Sequence, residues 1–220
     1  MVALEEQWSS LDDAWREAFR QAWEALRTGN IPVGACAVTP DGEIVHAARN
    51  RVADRGAPAG EVFGSSLAHA EINVLARLGF RWPREFVLTT TLEPCLQCSA
   101  AIRLSPVAAV RFAGADPVWD GCHDFSPLSR REAARTQVPM AGPRGDEVGR
   151  FAALISRLGL GLPPKYEAWL REAGEQASLD LSKRLEASGE VARLAAMEVG
   201  EAFADLWPEL RALGDGPGPG

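Results

Sequence analysis

The chain has 220 residues, 46% hydrophobic and 24% charged, the make-up of one ordinary globular domain with room for an appendage. Its net charge is −7 and its pI about 5.1, so it lacks the overall attraction to phosphate that nucleic-acid binders usually carry. Four cysteines, an acidic start (Met1-Val2-Ala3-Leu4-Glu5-Glu6) and the absence of a long apolar run argue against a disulfide framework, a signal peptide and a membrane span, so a cytoplasmic setting is expected.

Ser9-Ser10 before Leu11-Asp12-Asp13 reads as a helix N-cap with an acidic first turn. Leu11, Trp15, Ala18, Phe19, Ala22 and Leu26 then recur at helical spacing until Gly29. Val33 to Thr39 and Ile44 to Asn50 flank Pro40-Asp41-Gly42-Glu43 as a hairpin, with Cys36 inside its first strand as a small buried hydrophobe. Arg51 to Leu67 is a Gly/Ala/Pro-rich connection, long enough to be either a lid or a tolerated insertion. Ala68 to Leu78 reads as a helix, with Ile72, Leu75 and Leu78 inward. Phe86 to Thr91 reads as a strand, Cys95 to Leu104 as a helix and Ala108 to Phe112 as a strand. A loop from Asp116 to Pro127 holds Trp119, Cys122, His123 and Phe125. Thr136 to Met140 reads as a last short strand, and Asp146 to Leu158 as a helix with one apolar face. After Pro163-Pro164, the segments Lys165 to Ala173, Gln176 to Ala187 and Glu190 to Leu213 read as helices.

This alternation predicts an α/β fold, a three-layer α/β/α sandwich with a mixed sheet over residues 1–158. A helical extension over 159–213 and a disordered Gly/Pro tail over 214–220 follow. Leu181, Leu185, Val191, Leu194, Val199 and Phe203 are too apolar to stay in water, so they are expected to cover the domain's own surface or to form part of a homodimer interface, and a homodimer is expected.

Two short stretches carry the chemistry: His69-Ala70-Glu71 and Pro94-Cys95-Leu96-Gln97-Cys98. One histidine and two cysteines are ligands of the kind zinc takes, and three protein ligands leave a fourth, open position, the mark of a catalytic site. Cys95 and Cys98 share one face of a helix, with Pro94 in its first turn and the dipole favouring the thiolates. His69 and Glu71, two apart, converge on one ion only at an irregular helix start, which Ser65-Ser66 are expected to set. Glu71 is left to move protons. His46 lies about 13 Å back along the strand from Asn50, at roughly 3.3 Å per residue, and is not expected to be a ligand.

The H-x-E and P-C-x-x-C stretches, with Pro32-Val33-Gly34-Ala35, Arg49-Asn50-Arg51, Thr91-Leu92-Glu93-Pro94-Cys95 and Gly114-Ala115-Asp116, run from about Leu11 to about Leu158. In that order they resemble the zinc-dependent cytidine/deoxycytidylate deaminase superfamily, in the branch of bacterial tRNA adenosine deaminase and guanine deaminase. The resemblance implies a five-stranded mixed sheet and hydrolytic deamination of a ring amine. It implies one Zn2+ per chain with a bound water or hydroxide, ligated by His69, Cys95 and Cys98, and Glu71 as the catalytic proton carrier. Asn50 is expected to bind the substrate, with Val33, Ala70, Leu92 and Glu93 lining the base pocket, the last two through their backbone. Trp119 or Phe125 is expected to stack on the base, and Cys122-His123 are minor candidates for extra ligands. Relatives are commonly dimers.

Three functions compete at this stage. The leading expectation is a deaminase of a small nucleobase, nucleoside or related heterocycle. The second is a tRNA adenosine-to-inosine deaminase. Nucleic acid is disfavoured as a partner, because residues 151–220 carry 7 basic and 11 acidic side chains, 7 − 11 = −4. Arg49, Arg51, Arg55, Arg77, Arg81 and Arg84 are the counter-evidence, a basic cluster at the site mouth. The third is a zinc-holding scaffold without activity, against which the intact Glu71 stands.

Overall fold

A computed structural model describes residues 4–79, 85–159 and 161–214. The 215–220 part of the tail, Arg81 and Arg84 lie outside the described residues. The strands are β1 (Gly34–Val38), β2 (Ile44–Arg49), β3 (Phe86–Leu92), β4 (Val107–Gly114) and β5 (Met140–Ala141), in the order β2-β1-β3-β4-β5. β1 runs antiparallel to β2 and β3, and β3 to β5 are parallel, so the sheet is mixed. β5 is shorter than Thr136 to Met140 would have made it and begins at that segment's last residue; Pro139 offers no N–H to a ladder.

The period of two along β1 splits its side chains between the faces. Ala35 and Ala37 pack with Ala70, Val74, Leu78 and Ile102, from helices α3 (Ala70–Leu75) and α4 (Leu96–Leu104) and the turn after α3. Cys36 and Val38 face Ala14 of helix α2 (Asp13–Arg27). Small residues on β1 let α2 come close: a Cβ on Gly34 would sit 2.2 Å from the Ala18 carbonyl oxygen. Burial pushes the Cys36 thiol up to about 12, so it stays protonated and inert. Helix α6 (Glu147–Ile155) shares the α2 face, and Phe19, Trp23 and Phe151 stack there in tilted ring pairs. These helices on both faces complete the α/β/α sandwich.

Local expectations are corrected at several starts. Helix α1 (Leu4–Ser9) precedes α2, and Asp12 rather than Ser9-Ser10 caps α2, accepting from the Trp15 N–H at 3.0 Å. Inward positions of α3 are Ala70 and Val74, with Ile72 and Leu75 only half-buried. A four-residue helix α5 (Arg130–Ala133) follows the 116–127 loop.

The C-terminal helices are α7 (Pro164–Glu172), α8 (Gln176–Ala187), α9 (Glu190–Ala195), α10 (Val199–Asp205) and α11 (Trp207–Gly214). The single helix expected from Glu190 to Leu213 is three. Glu198 and Glu201 form a capping box that starts α10, and Pro208 sits in the first turn of α11, where its missing N–H costs nothing. Leu181, Leu185, Leu194 and Phe203 are buried in the α2/α6 core, with Val191 and Val199 packed against it. Their burial is met within one chain, which removes the argument that they need a second copy. Trp23 Nε1–H and the Arg27 guanidinium donate to the Met197 carbonyl at 2.9 and 2.7 Å, tying the α9–α10 joint to α2. Among the described residues no helix is long and apolar enough to cross a membrane.

Candidate active site

Two helix starts meet. His69 is the N-cap of α3 and Cys95 the N-cap of α4, both with extended backbones, so each points its side chain off the helix end. This corrects two expectations: Cys95 precedes the first turn rather than lying in it, and α3 is capped by His69 itself rather than set by Ser65-Ser66. His69 Nδ1 lies 3.5 Å from both Cys95 Sγ and Cys98 Sγ, and the ligand atoms all fall within 4.8 Å of one another. A tetrahedral zinc with ordinary Zn–S and Zn–N bonds holds S and N about 3.5 Å apart. The three residues therefore fit that ion. His46 is not in the group.

The electrostatics suit a cation. The hydrogen bond from Cys98, then the contact with His69, draws the Cys95 thiol down to about 4. The same bond, with burial, pushes Cys98 up. Burial would lower His69, but Cys95 and Glu71 outweigh it and raise it. Glu71 is 3% exposed, and burial raises its carboxyl. Its Oε1 accepts from the Thr90 hydroxyl at 2.9 Å and its Oε2 faces the Cys98 thiol at 3.4 Å.

A cavity of about 300 Å³ opens beside this corner. His69, Glu71 and Cys95 form its floor, and Val33, Asn50, Leu92, Glu93, Asp116 and Trp119 its walls. Asn50 is buried, and its carboxamide oxygen accepts from the Val52 N–H at 3.1 Å. Its NH2 has no acceptor among the described residues. Ala70 is wholly buried in the core beneath the floor and is not part of the lining. Phe125 is not at the cavity either; it is buried on the far side of α4 beside Ile102 and Arg103. Glu93 was expected to act through its backbone, yet its side chain accepts from the Asp116 N–H at 3.1 Å and meets His123 Nε2 at 2.9 Å. His123 Nδ1 lies 2.8 Å from the Ser99 hydroxyl, so both ring nitrogens are engaged away from the metal corner.

The roof was not anticipated. Gly161, with φ of 71°, turns the chain so that Leu162, Pro163, Tyr166 and Leu170 line the same cavity as Glu71. Tyr166, the chain's one tyrosine, donates its hydroxyl to Asp116 at 2.5 Å. Burial raises both the Asp116 carboxyl and the Tyr166 phenol. Residues 51–67, weighed above as a lid, do not line the cavity. Arg49 and Arg51 pair with Asp54, and Arg51 and Arg77 with Glu61, so three of the four described members of the expected basic cluster are paired, while Arg55 stays exposed.

A mixed sheet carrying a His–Cys–Cys corner with a buried carboxylate against it is a deaminase type of site. The profile of the cytidine and deoxycytidylate deaminase zinc-binding region matches residues 9–113. The tRNA-specific adenosine deaminase of Aquifex aeolicus is 36% identical over 108 residues, covering 47% of this chain and 66% of that protein. The tRNA-specific adenosine deaminase of Streptococcus pyogenes serotype M18 is 31% identical over 115 residues, covering 47% and 67%. The chain thus spans about two thirds of the length of these relatives. A solved tRNA:A34 deaminase aligns at 26% identity with a TM-score of 0.47, covering 59% of this chain and 96% of that one. The chain belongs to the cytidine and deoxycytidylate deaminase zinc-binding family.

Proposed function

We propose that the protein is a zinc-dependent hydrolytic deaminase of a small amino-substituted heterocycle, a free nucleobase or nucleoside. Water adds to the ring carbon bearing the amine, the C–N bond breaks, ammonia leaves and a carbonyl remains. A zinc ion held by His69, Cys95 and Cys98 would supply a water acidified to near neutrality. Glu71 takes a proton from the attacking water and hands it to the ring nitrogen, then takes the remaining proton from the added hydroxyl and delivers it to the departing amine as the carbonyl forms. Asn50 and the Val33 and Leu92 side of the cavity hold the ring, and Trp119 offers it an aromatic face.

The observation that carries the small-substrate reading is the roof. Leu162, Pro163, Tyr166 and Leu170 face the same 300 Å³ space as Glu71, a volume at the small end of small-molecule pockets. The second reading, adenosine in tRNA, is favoured by the names of the relatives, and on those names it is the better supported; they correct the expectation that nucleic acid is disfavoured as a partner. Against it stand the roof, which lies beyond the family match at 9–113, and the internal pairing of Arg49, Arg51 and Arg77.

The test is ammonia release from a panel of bases and nucleosides, run beside inosine formation in an adenosine-containing anticodon stem-loop. Turnover of a base or nucleoside with the stem-loop untouched is the expected result. The reverse pattern establishes the tRNA reading.

A further inference from the structure

Of residues 117–127, which carry Trp119 to the cavity wall, only Phe125 is buried. Apolar packing alone holds this loop weakly. Three polar contacts fasten it instead. The Asp116 N–H donates to Glu93 Oε2 at 3.1 Å, Glu93 Oε1 meets His123 Nε2 at 2.9 Å, and His123 Nδ1 meets Ser99 Oγ at 2.8 Å. Glu93 stands two residues before Cys95, and Ser99 directly follows Cys98. The far ends of the contacts are therefore fixed to the segment that bears both cysteines.

The hydrogens can be counted. A carboxylate only accepts, so Nε2 carries a proton toward Glu93. Nδ1 lies 2.8 Å from the Ser99 hydroxyl, which donates to the Pro94 carbonyl at 3.2 Å. The Cys122 thiol reaches the same carbonyl at 3.6 Å. One planar ring, engaged at both nitrogens, thus bridges two points of the zinc-bearing segment.

We propose that His123 is a positioning residue: by bridging Glu93 and Ser99 it clamps the loop carrying Asp116 and Trp119 onto the helix of Cys95 and Cys98, and so fixes the wall against which the substrate ring lies. This rests on the reading of the cavity as the deaminase site. Asp116 extends the clamp to the roof, because its carboxylate receives the Tyr166 hydroxyl. The ring touches neither the zinc ligands nor Glu71 in this arrangement, so its loss acts on substrate binding rather than on proton transfer.

The experiment compares wild type with His123→Leu, His123→Gln and Ser99→Ala. Zinc content, kcat, KM and hydrogen–deuterium exchange over residues 116–127 are measured for each. His123→Leu keeps one zinc per chain, raises KM by about tenfold, as two lost hydrogen bonds of ordinary strength would, changes kcat by less than about twofold, and speeds exchange in the loop. His123→Gln, which keeps a donor and an acceptor on one planar group, recovers part of both effects. Ser99→Ala, which spares the histidine, gives a smaller rise of the same sign and keeps the test alive where His123→Leu fails to fold. A folded His123→Leu with wild-type exchange and KM overturns the proposal. So does one that loses zinc and kcat with KM unchanged, since His123 would then serve the metal corner. If the wild type deaminates nothing in the panel, the proposed reaction falls, while the exchange data still decide whether the clamp exists.

Discussion

Residues 51–67 and residues 159–172 are both long excursions from the α/β core, and they do opposite things. The first is held by its own charges. Asp54 accepts from Arg49 at 2.7 Å, Arg51 at 2.9 Å and Asn30 at 2.6 Å, and Glu61 pairs with Arg51 and Arg77. The Asn73 carboxamide brackets Val62, accepting its N–H at 2.7 Å and donating to its carbonyl at 3.1 Å. Arg51, Asp54 and Glu61 of that stretch are all spent on scaffolding. The second excursion has few such bonds; it sends Leu162, Tyr166 and Leu170 into the cavity, and Leu170 is the one buried residue of α7. A loop that satisfies itself is a scaffold, and a segment that completes its burial only over a cavity is part of the site.

The comparison predicts where damage should appear. The largest effect lies on the floor that neither excursion touches. Glu71→Gln removes the proposed proton carrier while keeping its size. Turnover should fall by about 10²–10⁴-fold with zinc content unchanged. Near-normal turnover would move the proton-carrying role to another residue. Cys98→Ala should lose most of the zinc and lower the melting temperature, because metal binding and folding are coupled; full metal occupancy in that variant would sink the ligand assignment.

The roof comes next. Tyr166→Phe leaves the ring in place and strips the hydroxyl from a buried carboxylate. A hydrogen bond to a charged group is worth about 1.5–3 kcal/mol, so KM should rise by roughly ten- to hundredfold if α7 covers bound substrate. An unchanged KM would make α7 a bystander, and the small-substrate reading would lose its main support.

The floor was legible in the sequence and the roof was not, for a physical reason. His69, Glu71, Cys95 and Cys98 sit at two helix starts that converge on one corner, at spacings one ion would require, so local order along the chain records the geometry. The α2 stripe from Leu11 to Leu26 was legible for the same kind of reason, a helical period facing one core. Tyr166 and Leu170, four apart on α7, do share a helix face, but that spacing does not record what the face covers. Their role depends on Gly161 and Pro163 redirecting the chain across the ends of β3 and β4, a long-range event that spacing does not encode. The only local hint was Gly159-Leu160-Gly161-Leu162-Pro163, where apolar residues alternate with turn formers in a stretch too short for a helix. Glu93 and His123 failed differently. Both were singled out, Glu93 for its backbone and His123 only as a minor candidate ligand, yet their side chains bond to each other across 30 positions.

The smallest effect separates the two excursions by pH. Burial alone would raise the Asp54 carboxyl, but the hydrogen bonds from Arg49, Asn30 and Arg51 outweigh it and hold its pKa below the usual aspartate value. The sign follows from linkage. A carboxylate with a depressed folded-state pKa contributes stability that is fully present above its unfolded value, near about 3.9, and is lost as pH falls through the folded one. Asp54 therefore stabilises the 51–67 scaffold at neutral pH and releases it only in acid. Asp54→Asn should cost about 1–3 kcal/mol at pH 7, the range for leaving buried partners unsatisfied, and the gap to wild type should close as both are titrated below about pH 4. Because this stretch does not line the cavity, KM should stay within about twofold of wild type at pH 7 in whatever fraction remains folded. A large KM change without a stability change would reverse the assignment and make 51–67 the working lid.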